Sequence, residues 1–168
     1  MKKVLSMVLV VALLSLSAVA LAETHGLGIS TSIASSKPAT AEADGTAQAD
    51  TTVCTVALDD EGKIIFIRFD VAQTKIAINA KGEITADVAA EIKTKREKDD
   101  EYGMRKASPI GKEVDEQMDH LEAWCLGKTV EEAVAGANSG TDADLLAGCT
   151  IHVDAFMEAL TKAAANAK

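Results

Sequence analysis

Residues 53–71 read VCTVALDDEGKIIFIRFDV and give the clearest fold signal of the chain. Two apolar runs, residues 53–58 and 63–71, flank the acidic loop 59–62, which ends in Gly62. This pattern is typical of a β-hairpin, because glycine adopts the positive φ that closes such loops. The continuous apolar run at residues 64–67 indicates the central strand of the sheet.

Further strands are predicted on both sides of this hairpin. The same strand–loop–strand pattern recurs at Ile76–Ile78 and Glu83–Thr85, around a loop that ends in Gly82. Upstream, the alternation at residues 28–34 favours a half-buried edge strand, with a linker as the alternative. Residues 38–50 read as a loop. We therefore predict an antiparallel meander of three or four strands.

Helical patterns follow the strands. We predict a short helix at 86–95 and a charged loop at 94–102. An amphipathic helix is predicted from Pro109 to Leu126, with Ser108 as its N-cap. Its charged residues, Glu122 included, are expected in solvent. Thr129 begins a capping box for a helix to Ala135, Thr141 or Asp142 caps one turn, and the last helix covers 153–165. Strands followed by helices predict an α+β fold with the helices packed on one face of the sheet.

The N-terminus has the three parts of a secretory signal peptide in residues 1–22. Lys2 and Lys3 precede an apolar run, and Ala20-Leu21-Ala22 supplies the small residues of a cleavage site. An uncleaved membrane anchor is the alternative for this segment. With cleavage after Ala22, no membrane span is predicted. The remaining chain consists of a strand or linker segment at 23–46 and a domain at 47–168. We expect a secreted or extracytoplasmic protein.

The chain is acidic, with a formal net charge of −9 for its 168 residues. Loss of Lys2 and Lys3 with the signal peptide takes this charge to −11, because the segment holds no acidic residue. Nucleic-acid binding is disfavoured, since it requires a basic surface. The three cysteines, Cys54, Cys125 and Cys149, lie in apolar stretches. They are interpreted as core thiols, with a Cys125–Cys149 or Cys54–Cys149 disulfide as the alternative.

Few residues suggest catalysis. Hydrolase, zinc-protease and nucleotide-binding motifs are absent from the sequence, and no catalytic or metal site is assigned. His120 is expected to be solvated. Cys149 and His152 supply two metal ligands at most, or a thiol nucleophile with its base. Asp70, Gln73 and Lys75 form either a surface ion pair or a ligand-contacting set.

The segment Asp144-Leu145-Leu146-Ala147-Gly148-Cys149-Thr150-Ile151-His152, followed by the last helix, carries a resemblance. It resembles the signature of the bacterial extracytoplasmic FMN-binding domain family: Asp, two variable residues, Ser/Thr, Gly, Ala, Thr, a variable residue, Ser/Thr. Residues 47–71 are also similar to the opening hairpin of that family. The resemblance implies a flavin site formed by Asp144, Gly148, Cys149, Thr150 and His152.

This sequence departs from the family pattern at the residue that accepts the flavin. Covalent members esterify the FMN phosphate to the last Ser or Thr, where this chain has His152. Imidazole has no hydroxyl group, so covalent attachment is not expected, whereas noncovalent FMN binding is physically compatible with a glycine turn before a helix. The resemblance implies extracytoplasmic electron transfer with flavin or envelope redox proteins as partners. The alternative is a non-catalytic cell-envelope or secreted binding protein that has lost the flavin site.

Overall fold

A computed structural model describes residues 23–168, so the expected signal peptide at 1–22 lies outside the described residues. One antiparallel sheet has the order β1-β2-β3. Its strands are β1 (Thr24–Ser32), β2 (Gly45–Leu58) and β3 (Ile64–Ile78). The helices are α1 (Lys95–Lys98), which runs into a 3-10 turn (Asp99–Tyr102), α2 (Val114–Cys125), α3 (Val130–Asn138), α4 (Ala143–Leu146) and α5 (Asp154–Ala165). The predicted α+β class is confirmed.

The hairpin between β2 and β3 forms as predicted. The Asp59 carboxylate accepts hydrogen bonds from the backbone N–H groups of Glu61 and Lys63 at 3.0 and 2.8 Å, and Gly62 has φ 77°. The central strand, however, is β2, so the assignment of residues 64–67 to the centre was wrong. A register shift pairs Leu58 with Ile64 and Ala57 with Phe66, and Ile65 is left without a partner on β2.

The segments on either side of the hairpin differ from the sequence prediction. β1 pairs with β2 over its whole length, which favours the strand alternative for the N-terminal segment. β2 begins at Gly45, so the loop predicted at 38–50 was wrong over residues 45–50. After β3, the second hairpin is reduced to a single Ile78–Ile84 bridge.

Two helix starts were also predicted wrongly. No helix covers 86–94; α1 begins instead inside the charge run, where Thr94 and Glu97 form a reciprocal capping box. α2 begins at Val114 instead of Pro109, with Glu113 as its N-cap. The hydroxyl of Ser108 accepts the backbone N–H groups of Ile110 and Lys112, both at 3.4 Å, and so caps a turn before the helix.

The helices cover one face of the sheet, as predicted. Phe69 of β3 meets Phe156 of α5 edge-on, with ring centroids 5.3 Å apart. Gly28 of β1 lies directly under α5, where a Cβ atom would stand 2.0 Å from the Ala159 carbonyl oxygen. The close approach of strand and helix therefore requires glycine at this position. All three cysteines are free, buried thiols in this core.

Candidate functional site

A cavity of about 390 Å³ lies between α2, the 104–109 segment and the first turn of α5. We name it the α2–α5 cavity. It is bordered by the apolar side chains of Met104, Pro109, Val114 and Phe156 and by the polar residues Lys95, Gln117, Thr150 and His152. Small-molecule sites typically measure roughly 300–1,000 Å³ and combine an apolar lining with a few polar groups. The cavity therefore has the size and lining of a small-ligand site.

Gln117 joins the two sides of this cavity. Its side chain is 0 % exposed. The amide nitrogen donates to Ser108 Oγ at 3.2 Å and to the Lys112 carbonyl at 3.1 Å, while Oε1 accepts the Thr150 backbone N–H at 2.9 Å. Gln117 was not predicted to be a site residue, although it lies three residues after Val114 on the apolar face of α2. That helical spacing was the available signal.

The 142–148 turn is held by hydrogen bonds within the protein. The Asp142 carboxylate accepts the Leu145 backbone N–H at 2.9 Å and the Trp124 indole N–H at 3.2 Å. The Leu145 hydrogen bond, with the smaller effect of Trp124, lowers the pKa of Asp142. Of the two predicted caps, Asp142 therefore fills this role.

The five residues of the predicted flavin site are not brought together around one cavity. Thr150 and His152 border the α2–α5 cavity, and with Cys149 they also border a smaller one of about 250 Å³ on the other side of the turn. Asp144 is exposed, and Cys149 is 2 % exposed. Gly148 is buried. The α2–α5 cavity thus receives only the last part of the motif.

Gly148 packs against His120, which had been expected in solvent. A Cβ atom at Gly148 would stand 2.3 Å from Cγ and Nδ1 of the imidazole. His120 Nε2 lies 2.9 Å from the Asp144 carbonyl oxygen. The imidazole occupies the space that the missing side chain leaves, so the glycine here serves the packing of α2 against α4.

The cysteine chemistry is that of core thiols. Burial raises the pKa of Cys149, and it raises the pKa of Cys125 to about 12. A thiolate is required for nucleophilic attack, and a raised pKa leaves little of it. The arrangement disfavours a Cys149–His152 nucleophile pair. We expect no alkylation of Cys149 by iodoacetamide in the native protein, and labelling before unfolding would contradict this.

A second, open depression adjoins the α2–α5 cavity and shares Met104 and Ala107 with it. Its volume is about 750 Å³, and Gln73, Lys75, Lys93, Lys98 and Tyr102 are among its lining residues. We name it the lysine groove. The ammonium group of Lys95 lies 5.0 Å from the centroid of the Tyr102 ring. Two residues of the predicted Asp70, Gln73 and Lys75 set therefore line the groove.

Two carboxylates hold segments beside the lysine groove against α2. Glu122, which had been expected in solvent, is 7 % exposed. It accepts the Phe69 backbone N–H at 2.6 Å and an Arg96 guanidinium N–H at 2.5 Å. Glu113 accepts the backbone N–H groups of Met104 and Arg105 at 2.8 and 2.7 Å. These contacts fix α1 and the 104–105 turn against α2.

Within residues 23–168, no group of three or more His, Cys, Asp or Glu side chains is arranged to hold a metal ion. Over the same range, no helix is both long enough and apolar enough to cross a bilayer. Comparisons with protein-family models, curated proteins and solved structures found no match for this chain. The resemblance to the FMN-binding domain family therefore stays a prediction.

Proposed function

We propose that this chain is an exported protein that binds a flavin noncovalently in the α2–α5 cavity and takes part in electron transfer outside the cytoplasm. The observation that carries the proposal is the cavity itself. It offers an apolar volume of about 390 Å³ with Thr150 and His152 at its border. A planar heteroaromatic ring with polar edges suits such a lining. When bound, a flavin supplies the capacity to carry electrons.

The chain's own residues would perform the binding. Met104, Pro109 and Ile151 keep exposed surface at the cavity and would cover the ring. This stabilises the complex in proportion to the apolar area buried. Gln117 would hold the Thr150 turn in place, because its amide is already hydrogen bonded on both sides of the cavity. His152 would remain a noncovalent contact, since an imidazole cannot form the phosphate ester.

A second candidate is the cell-envelope or secreted binding protein that has lost the flavin site. Two contacts favour it. Gly148 faces the His120 ring, and the Thr150 N–H is engaged by Gln117. The backbone of the motif is thus used inside the protein. This candidate predicts a colourless protein that folds cooperatively, binds no flavin and co-purifies with another envelope component.

A flavin titration separates the two candidates. We expect the fluorescence of FMN to be quenched saturably by the protein with residues 1–22 removed. Ala107 is exposed and borders the cavity, so Ala107→Trp should fill the entrance and abolish the quenching. Ala147→Trp is the matched control, because Ala147 is also exposed but borders neither cavity nor groove. A flat titration of the unaltered protein would overturn the flavin proposal.

The noncovalent mode has its own test. Incubation with FAD and a flavin transferase should leave the unaltered chain without covalent flavin after denaturation. His152→Thr restores a hydroxyl at the acceptor position and is the matched variant. Covalent flavin on the unaltered chain would contradict the noncovalent assignment.

A further inference from the structure

The lysine groove has an excess of positive charge, although the protein as a whole is acidic. This is the charge expected of an anion site. Lysines 75, 93, 95 and 98 lie in or beside it, whereas its lining includes two carboxylates, Glu91 and Glu101. The whole chain carries a formal charge of −9. A local excess of cations in an acidic protein attracts an anionic ligand to that surface.

Three of these four lysines form no salt bridge with a carboxylate of the part of the chain that the structure describes. Lys93 Nζ pairs with Glu101 at 3.2 Å. Within the described range 23–168, Lys75, Lys95 and Lys98 form no salt bridge. Lys95 instead stands over the Tyr102 ring. These three ammonium groups are therefore available to a ligand.

The motif side of the cavity is a poor place for a phosphate. The Thr150 backbone N–H already donates to Gln117 Oε1. Gly148 is covered by His120. Asp154 lies in the first turn of α5 and brings negative charge to that helix end. A phosphate there would meet the Asp154 carboxylate and would have to displace Gln117 from the Thr150 N–H, and both effects are unfavourable for an anion.

Cavity and groove meet at Met104 and Ala107. One ligand can therefore occupy both, with an apolar ring in the cavity and a charged tail in the groove. We propose that the phosphate of the bound flavin points into the lysine groove toward Lys75, Lys95 and Lys98, away from the Gly148–His152 turn. This inference rests on the proposed function and names its ligand class: phosphorylated flavins, in preference to riboflavin.

Two consequences follow from this orientation. FMN and FAD bind more tightly than riboflavin, because only they carry an anionic tail. Added salt weakens their binding and leaves riboflavin binding unchanged, since screening acts on the exposed charges of the groove.

The test compares riboflavin, FMN and FAD on three proteins: the unaltered chain, the Lys75→Gln/Lys98→Gln double variant, and a Lys81→Gln/Lys106→Gln control. Lys81 and Lys106 are exposed and lie outside both the cavity and the groove. Each double variant removes the same charge, so the long-range effect is matched. Binding is measured by quenching of flavin fluorescence.

We expect the Lys75→Gln/Lys98→Gln change to weaken FMN and FAD binding by about tenfold or more, since hydrogen bonds to charged groups are lost. Riboflavin affinity should stay unchanged, and the control should behave as the unaltered chain. Equal affinity for riboflavin and FMN in the unaltered chain would overturn the inference and leave the proposed function standing. A phosphate preference that survives the double variant would also overturn it. Absence of binding by all three flavins would overturn both.

Discussion

The two walls of the α2–α5 cavity are attached to the same helix by different chemistry. The wall formed by residues 148–156 is joined to α2 by a neutral amide, Gln117, and by the packing of His120 on Gly148. The wall formed by residues 95–105 is joined to α2 by the carboxylates of Glu113 and Glu122. The first wall thus uses Thr150 and Gly148 in contacts within the protein. The second wall has the Met104 and Arg105 N–H groups satisfied and holds Lys95 and Lys98, which form no salt bridge within the described residues.

The two walls are therefore expected to respond differently to substitution. Changes at Gln117 and Gly148 should cost stability, because their contacts in the 148–156 wall are made within the protein. Changes to the groove residues Lys75 and Lys98 should cost ligand affinity, because neither side chain forms a salt bridge within residues 23–168. Four substitutions test where this division fails.

The largest effect is expected from Glu122→Ala. Removal of this carboxylate leaves the Phe69 N–H without its acceptor. The Arg96 guanidinium, whose side chain is 13 % exposed, keeps only the exposed Asp119 as an ion-pair partner. Breaking a buried ion pair from one side costs about 3–5 kcal/mol. Asp119→Ala is the control, because Asp119 also contacts Arg96 but is 57 % exposed; its loss should cost about 1 kcal/mol or less. Urea unfolding measures both, and equal losses would contradict the buried role of Glu122.

Gln117→Leu should have the next largest effect. The partly buried Thr150 N–H would lose its acceptor. An unsatisfied buried donor costs about 1–3 kcal/mol, and we expect the low end because Thr150 itself is exposed. Gln73→Leu is the matched change in the lysine groove next to the other wall, where the amide donates to Asp50 at 2.8 Å and the residue is half-buried. We expect a smaller loss for Gln73. If Gln73→Leu destabilised the protein as much as Gln117→Leu, the contrast between the walls would fail.

Gly148→Ala tests the packing of the motif glycine. The new methyl group would force the His120 ring away from the Asp144 carbonyl, and such overpacking costs about 1–3 kcal/mol. We expect the low end, because His120 is partly exposed and can rotate. His120→Ala should relieve the strain in the double variant. Lower FMN affinity with unchanged stability would instead indicate that Gly148 contacts the ligand.

The smallest effect concerns pH. The lowered pKa of Asp142 means that its capping contribution is complete above the ordinary value of 3.8 and is lost as the pH falls through the lowered value. Trp124 is the single tryptophan and donates to this carboxylate, so its fluorescence reports the change. Asp142→Asn keeps an acceptor without the titration and should remove this transition. A transition that persists in Asp142→Asn would assign it to another group.

The fold class could be predicted from local patterns, and its errors have local causes. The hairpin followed from the apolar runs around Asp59 and Gly62, and α5 from its amphipathic period. The central strand was misassigned because an apolar run does not reveal the register shift that leaves Ile65 unpaired. The early start predicted for α2 treated Ser108 as a helix cap, whereas it caps a turn and Glu113 fills the helix position.

The cavity could be predicted only in part. Thr150 and His152 came from the motif, and Gln73 and Lys75 from their clustering at the end of β3. Lys95, Met104 and Phe156 join them only through tertiary packing between segments far apart in the chain. Glu122 was predicted to be exposed to solvent, because helical spacing does not show that Arg96 and the Phe69 N–H donate to it. Buried charges with distant partners leave no local signal.

An amide-resolved NMR titration with FMN tests the central claim most directly, because it reports where the ligand lies. Shifts are expected at Met104, Ala107 and Phe156 and at residues 150–152, which border the α2–α5 cavity, with further shifts at Lys75 and Lys98 in the groove. Asn138, Gly140 and Asp142, which border the smaller cavity and neither the α2–α5 cavity nor the groove, should remain unchanged. An unaltered spectrum, or shifts confined to residues 137–146, would contradict the account.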